Sequence, residues 1–117
     1  MEYRGQEPQY THGSLHGPGY SGGDALTRRF YLASGFNNNF HIFAVEWEAN
    51  VIRWYVDDIL FQTINSSQVD GDWVFAHPFY MILNVAVGGT FVGDPDETTV
   101  FPQTMLIDYV RAYRQGN

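Results

Sequence analysis

Residues 51–64 read Val-Ile-Arg-Trp-Tyr-Val, then Asp-Asp, then Ile-Leu-Phe-Gln-Thr-Ile. Two runs of β-branched and aromatic residues, separated by two residues that tolerate left-handed backbone, predict an antiparallel hairpin turning at Asp57-Asp58. Residues 40–47 have the same character and join this hairpin through a short turn at Glu48-Ala-Asn50. Residues 79–87 are apolar on both faces, as a central strand covered on two sides requires, and residues 105–113 read as the last strand. Gly88-Gly89 and the stretch Gly93-Asp-Pro-Asp-Glu97 are loop chemistry. No stretch carries a helical period. The pattern predicts an all-β sandwich or jelly roll. Five or six strands are few for such a sandwich, and a missing neighbour leaves an unpaired edge. Strands supplied from upstream, or by a second chain, are therefore expected.

The charge balance narrows the partner. Six Lys and Arg against 13 Asp and Glu give a formal net charge of −7 over 117 residues. That disfavours nucleic acid, whose phosphates demand a basic footprint, and it disfavours anionic membranes and acidic polysaccharides. A neutral ligand fits best. Cysteine is absent, so thiols say nothing about redox compartment. No apolar run approaches the roughly 20 residues that span a bilayer. The first residues lack the basic-then-apolar pattern of a secretion signal, which says little where the chain opens abruptly at Met1-Glu2.

The run Met1-Glu-Tyr-Arg-Gly-Gln-Glu-Pro8, followed by Thr11-His-Gly-Ser-Leu-His-Gly-Pro-Gly-Tyr-Ser-Gly-Gly23, resembles the central segment of glycoside hydrolase family 16, in particular its bacterial laminarinases, which are endo-1,3-β-glucanases. The resemblance continues in order through Phe40-His-Ile-Phe-Ala-Val-Glu-Trp47, Ile52-Arg-Trp-Tyr-Val-Asp57, residues 78–89, Gly93-Asp-Pro-Asp96, Phe101-Pro-Gln103 and residues 105–113. It covers essentially the whole chain and about the C-terminal half of a typical member. It implies a concanavalin-like β-jelly-roll and retaining endo-hydrolysis of β-1,3-glucan (laminarin) or mixed-linkage β-glucan. It also implies secretion of the complete protein.

That family's catalytic strand reads Glu-x-Asp-x-x-Glu, its first Glu the nucleophile, its Asp assisting, its last Glu the acid/base. By resemblance Glu2 is the acid/base, and the nucleophile position falls ahead of Met1. A retaining glycosidase needs two carboxyl groups about 5–5.5 Å apart, one to attack and one to protonate. Glu7, beside Pro8, reads as loop and is no substitute. The 117 residues alone are accordingly expected to be inactive and poorly stable. The alternatives are a non-catalytic β-glucan-binding sandwich and an inactive truncated fragment.

Six further positions are candidates. Arg4 follows Glu2 by two residues, which places both on one side of an extended chain, where Arg4 orients substrate or tunes the acid. Asn84 is the one polar side chain in its apolar run, on the face shared by Tyr80, Ile82 and Ala86. It is either a satisfied core amide or a ligand for a glucosyl hydroxyl. His16, within Leu-His-Gly-Pro-Gly, either donates to a sugar or holds its loop. Trp47 and Trp54 read as core, whereas Trp73, in the Gly71-Asp-Trp73 loop, is the better stacking platform. Thr90-Phe91 stands where many family members carry Asn-Trp, so Phe91 can stack but lacks an indole donor, and Ala76 replaces a common Asp. Asp108 matches a position that often ligates a structural calcium, an ion wanting six to eight oxygens; otherwise it is a surface carboxylate. No cofactor is expected for catalysis.

Overall fold

The computed structural model describes residues 1–114 and 116, in two units, Met1–Tyr80 and Met81–Asn117. The first unit holds two three-stranded antiparallel sheets. One has the order β1 (Glu2–Tyr3), β2 (Tyr10–Leu15), β3 (Leu26–Tyr31). The other has the order β4 (Phe43–Glu48), β5 (Val51–Val56), β6 (Ile59–Asn65).

The second sheet is built around the expected hairpin. Asp57 and Asp58 both take positive φ, at 47° and 65°, the backbone of the two-residue turn whose twist matches its flanking strands. Asp57 also fixes where β4 begins. Its carboxylate accepts the Ile42 N–H at 2.9 Å and lies 2.7 Å from His41 Nδ1, while its own N–H donates to the Ile42 carbonyl at 2.9 Å. Residues 40–42 are thereby tied to the turn, and the strand starts at Phe43 rather than at Phe40.

β5 alternates cleanly: Ile52, Trp54 and Val56 are buried, and Arg53 and Tyr55 face out beside Glu46 and Glu48. β6 breaks the alternation. Trp54 pairs with Gln62 but Tyr55 pairs with Leu60, so Phe61 is an extra residue, a β-bulge. The bulge turns both Phe61 and Gln62 toward the first sheet, and both are buried. Phe61 packs on Phe30 of β3, their ring centroids 5.5 Å apart. Gln62 Oε1 accepts the Arg28 N–H at 3.1 Å, and Gln62 Nε2 donates to the Leu26 carbonyl at 3.1 Å. Both ends of this amide are thus satisfied by β3 backbone.

Gly13 of β2 lies opposite the bulge. A Cβ there would come within 2.8 Å of Gln62 Oε1 and 3.0 Å of the Phe61 ring, so any other residue would have to displace the amide from its place. Leu15, Tyr20, Phe36 and Ile64 complete the core. Tyr20 is 2% exposed and donates its hydroxyl to the Asp72 carbonyl at 2.7 Å, and burial pushes that phenol up.

Three readings of the sequence are corrected. Residues 10–15 and 26–31 form strands that the strand inventory of the sequence did not include. Residues 79–87 and 105–113, read as a central and a last strand, enter no ladder among the described residues. Most of their apolar side chains are exposed: Ile82 is 68% exposed and Leu106 is 70%. Their composition suits a strand, but a strand exists only beside a hydrogen-bonding neighbour. Two short 3-10 turns, Gly22–Asp24 and Ser66–Gln68, are the helical content. The second unit is otherwise turns: Gly88 and Gly93 take positive φ around a Gly89–Gly93 hydrogen bond of 2.7 Å, and Asp96 Oδ1 accepts both the N–H and the hydroxyl of Thr98.

Gln62→Leu should destabilise the fold by about 1–3 kcal/mol in chemical denaturation, because it removes a buried amide and leaves the Arg28 N–H and the Leu26 carbonyl of β3 without its two hydrogen bonds. No loss would mean that the amide is not needed there. A second outcome concerns pH. Burial pushes the Asp57 carboxyl up, but the His41 contact and the Ile42 N–H outweigh it, and the net direction is down. A carboxyl held below its unfolded value contributes stability above that value, and the contribution is lost as pH falls through the folded one. Asp57→Asn should therefore lower the melting temperature clearly at about pH 6 and progressively less below about pH 4. An equal loss at both ends of the titration would refute the charge contribution.

Candidate active site

In the first sheet the clearest division of faces is in β2. On β2, Thr11, Gly13 and Leu15 face inward, while Tyr10, His12 and Ser14 share the other face. The antiparallel register arranges that outer face in rows. Glu2 of β1 stands opposite His12, and His12 opposite Arg29 of β3. On one side of this row lie Ser14 and Thr27, a cross-strand pair; on the other side lie Tyr10 and Tyr31.

Polar contacts connect the rows. Ser14 Oγ donates to Glu2 Oε2 at 2.7 Å, and Thr27 Oγ1 donates to Ser14 Oγ at 3.1 Å. A chain of hydroxyls therefore runs from β3 across β2 to one oxygen of Glu2. The Thr11 hydroxyl donates to the Glu2 carbonyl at 3.2 Å, which holds the backbone of β1 in place. Glu2 itself is exposed and can meet a ligand.

Arg4 and Glu7 sit in the turn between β1 and β2. Arg4 bonds the Glu7 carboxylate, whose other oxygen lies 3.4 Å from Arg29. The hydrogen bond from Arg4, foremost among several charges, holds the Glu7 carboxyl below its usual range. Glu7 is thus committed to two guanidinium groups. Arg29 in turn stacks over Tyr10, its Cζ 4.0 Å from the ring centroid.

The remaining candidates lie elsewhere. His16 is exposed just past β2, beside the Gly17–Tyr20 bridge. Trp73 packs against the core edge on Phe75, centroids 5.0 Å apart, and its indole N–H donates to the Ala49 carbonyl at 2.8 Å. Both its polar atom and part of its ring are engaged by the protein. Trp54 is buried as expected, while Trp47 is half exposed and donates its N–H to the Phe75 carbonyl at 2.8 Å. Asn84, Phe91 and Asp108 belong to the second unit: Asn84 and Asp108 lie on exposed extended stretches, and Phe91 is exposed in the turn after Gly89. Among the described residues no three His, Cys, Asp or Glu side chains gather as a metal site. No helix of the described residues is long and apolar enough to cross a membrane.

Sequence reasoning missed His12, Ser14, Thr27, Arg29, Tyr10 and Tyr31. The available cue was the alternation Tyr10-x-His12-x-Ser14, which Gly13 and the glycines after Leu15 disguised as turn.

Two antiparallel layers, with a packed interior and a polar, aromatic outer face on one sheet, define an all-β sandwich of the jelly-roll kind. Residues 1–111 match the model of glycosyl hydrolases family 16, and the chain belongs to that family. It is 36% identical to glucan endo-1,3-beta-glucosidase A1 of Niallia circulans, covering 98% of this chain and 18% of that protein. It is 34% identical to a beta-glucanase of Rhodothermus marinus, covering 97% of this chain and 43% of that one. Among solved structures, the endo-beta-1,3-glucanase of Pyrococcus furiosus superposes with a TM-score of 0.81 at 44% identity, over 86% of this chain and 40% of that one. The chain thus spans less than half the length of each of these relatives.

Proposed function

We propose that these residues form part of a secreted endo-β-glucanase that cleaves β-1,3-glucan, or mixed-linkage β-glucan, with retention, and that Glu2 is its general acid/base. The observation that carries the reading is Glu2 itself. It stands in a family 16 chain on the open face of the sheet, with the Ser14 hydroxyl on one carboxylate oxygen and the other facing solvent. A carboxyl so placed can protonate a departing glycosidic oxygen and then, as the carboxylate, activate water. The substrate is neutral, which agrees with the acidic chain and with the way Arg4 and Arg29 are already matched by Glu7.

Retention requires a second carboxylate to attack the anomeric carbon. Glu7 is held by two arginines and does not fill that role, so the nucleophile is a group these 117 residues do not provide. By themselves they should release no reducing ends from laminarin. Joined to, or mixed with, a segment that contributes a neighbouring carboxylate strand, they should hydrolyse it. In that assembly Glu2→Gln should lower kcat on laminarin by about 100-fold or more, yet keep turnover of an activated glycoside whose leaving group needs no protonation. Hydrolysis by the 117 residues alone, or full activity of the Gln variant, would reject the assignment. Retention on insoluble β-1,3-glucan with no hydrolysis in any assembly would instead identify a glucan-binding sandwich.

To the same reading belongs a structural calcium held in part by Asp108, with backbone carbonyls as its remaining oxygens. Calcium should raise the melting temperature of the assembled protein and a chelator should lower it. Equal melting in both would reject the ion.

A further inference from the structure

On the reading that this protein handles β-glucan, we propose that Tyr10, Tyr31 and Arg29 form a sugar subsite beside Glu2, one that takes a neutral pyranose unit against the exposed Tyr31 ring. The placement follows from register. Tyr10 and Tyr31 are cross-strand partners on the outer face, two residues along β2 and β3 from the row that carries Glu2, His12 and Arg29. At about 3.3 Å per residue, that is a step of about 6.6 Å along the strands. Their ring centroids are 5.2 Å apart with planes tilted by 50°, so the two rings form a stepped apolar surface.

Exposure singles this pair out. Phe30, the neighbour of Tyr31 in β3, is turned inward onto Phe36 and Phe61, whereas Tyr31 is 53% exposed. One face of Tyr10 is covered by the Arg29 guanidinium, which leaves Tyr31 as the platform. Arg29 carries five N–H donors, is 46% exposed, and is steadied by Glu7 at 3.4 Å. A β-linked glucosyl unit presents C–H groups on its ring faces and hydroxyls around its edge. The Tyr31 ring suits the first, and the Arg29 donors with the Glu7 acceptor suit the second. The patch carries Arg4 and Arg29 against Glu2 and Glu7, so its charge balances and an anionic sugar gains nothing from it.

A cross-strand tyrosine pair can also serve the sheet alone, and the test separates the two roles. The protein, joined to the segment that supplies its neighbouring strand, would be titrated with soluble β-1,3-gluco-oligosaccharides while the aromatic proton resonances of Tyr10 and Tyr31 are followed by NMR. Saturable shifts of both rings are expected. Tyr31→Ala should weaken the dissociation constant about tenfold, whereas Tyr31→Phe should stay within about twofold of the parent. A sulfated oligosaccharide of the same length should bind no more tightly than the neutral one. Shifts confined to residues around Glu2, with unmoved tyrosine rings or an Ala variant of parent affinity, would overturn the subsite and leave the glucan reading standing. Absence of any binding by the parent assembly would overturn both. The ring shifts are read in the unaltered chain, so they decide the matter even where the Ala variant fails to fold.

Discussion

The two layers of this fold are joined by one buried amide. Gln62 reaches from β6 into β3 and gives its oxygen to the Arg28 N–H and its nitrogen to the Leu26 carbonyl. A polar side chain buried this deeply is costly unless every strong valence is met. Here its partners are backbone groups that cannot move without dragging β3 along. An apolar contact tolerates sliding, but a two-point hydrogen bond fixes both distance and register. Phe61 beside it contributes the apolar area, and Gly13 contributes the room. Together they set how β2 and β3 lie over the hairpin, and so which way the outer face of β2 points.

That geometry divides the labour of β2 between its two sides. Thr11, Gly13 and Leu15 close the core, while Tyr10 and Ser14 are partly exposed on the other face and His12 between them is buried. Glu2 belongs to a strand only two residues long, and such a strand holds no side chain in place on its own. Its position comes from its partner: the Thr11 hydroxyl grips the Glu2 carbonyl and the Ser14 hydroxyl grips its carboxylate. The same six residues of β2 therefore anchor the core and hold Glu2.

Much of this was legible in the sequence, for reasons that can be named. The β5–β6 hairpin announced itself because alternation, β-branching and the Asp57-Asp58 turn all agree. Glu2 was legible through its motif neighbours, not through any property of a lone glutamate. What stayed hidden was partnership. Residues 79–87 and 105–113 have the composition of strands, yet a ladder depends on a neighbour that local composition cannot supply. β2 was hidden for the opposite reason: its glycine, there to admit Gln62 and Phe61, reads as a turn. Trp73 looked like a platform because it stands in a polar loop, but its indole N–H had a carbonyl within reach and the ring followed it onto the core. Asn84, Phe91 and Asp108 were chosen by resemblance, and all three are exposed in the second unit.

The bulge at Phe61 has a consequence for how the chain finds its shape. In a regular hairpin a slip of one residue merely exchanges the two faces, and several pairings can compete during folding. In β6 the two faces are not interchangeable, because only one alignment turns two consecutive residues, Phe61 and Gln62, to the same side. A slipped pairing would bury Thr63 and leave the amide in water, with nothing to offer β3. The irregularity thus acts as a key cut into one edge of the hairpin. The docked arrangement of Phe61 and Gln62 is compatible with the bulged pairing alone.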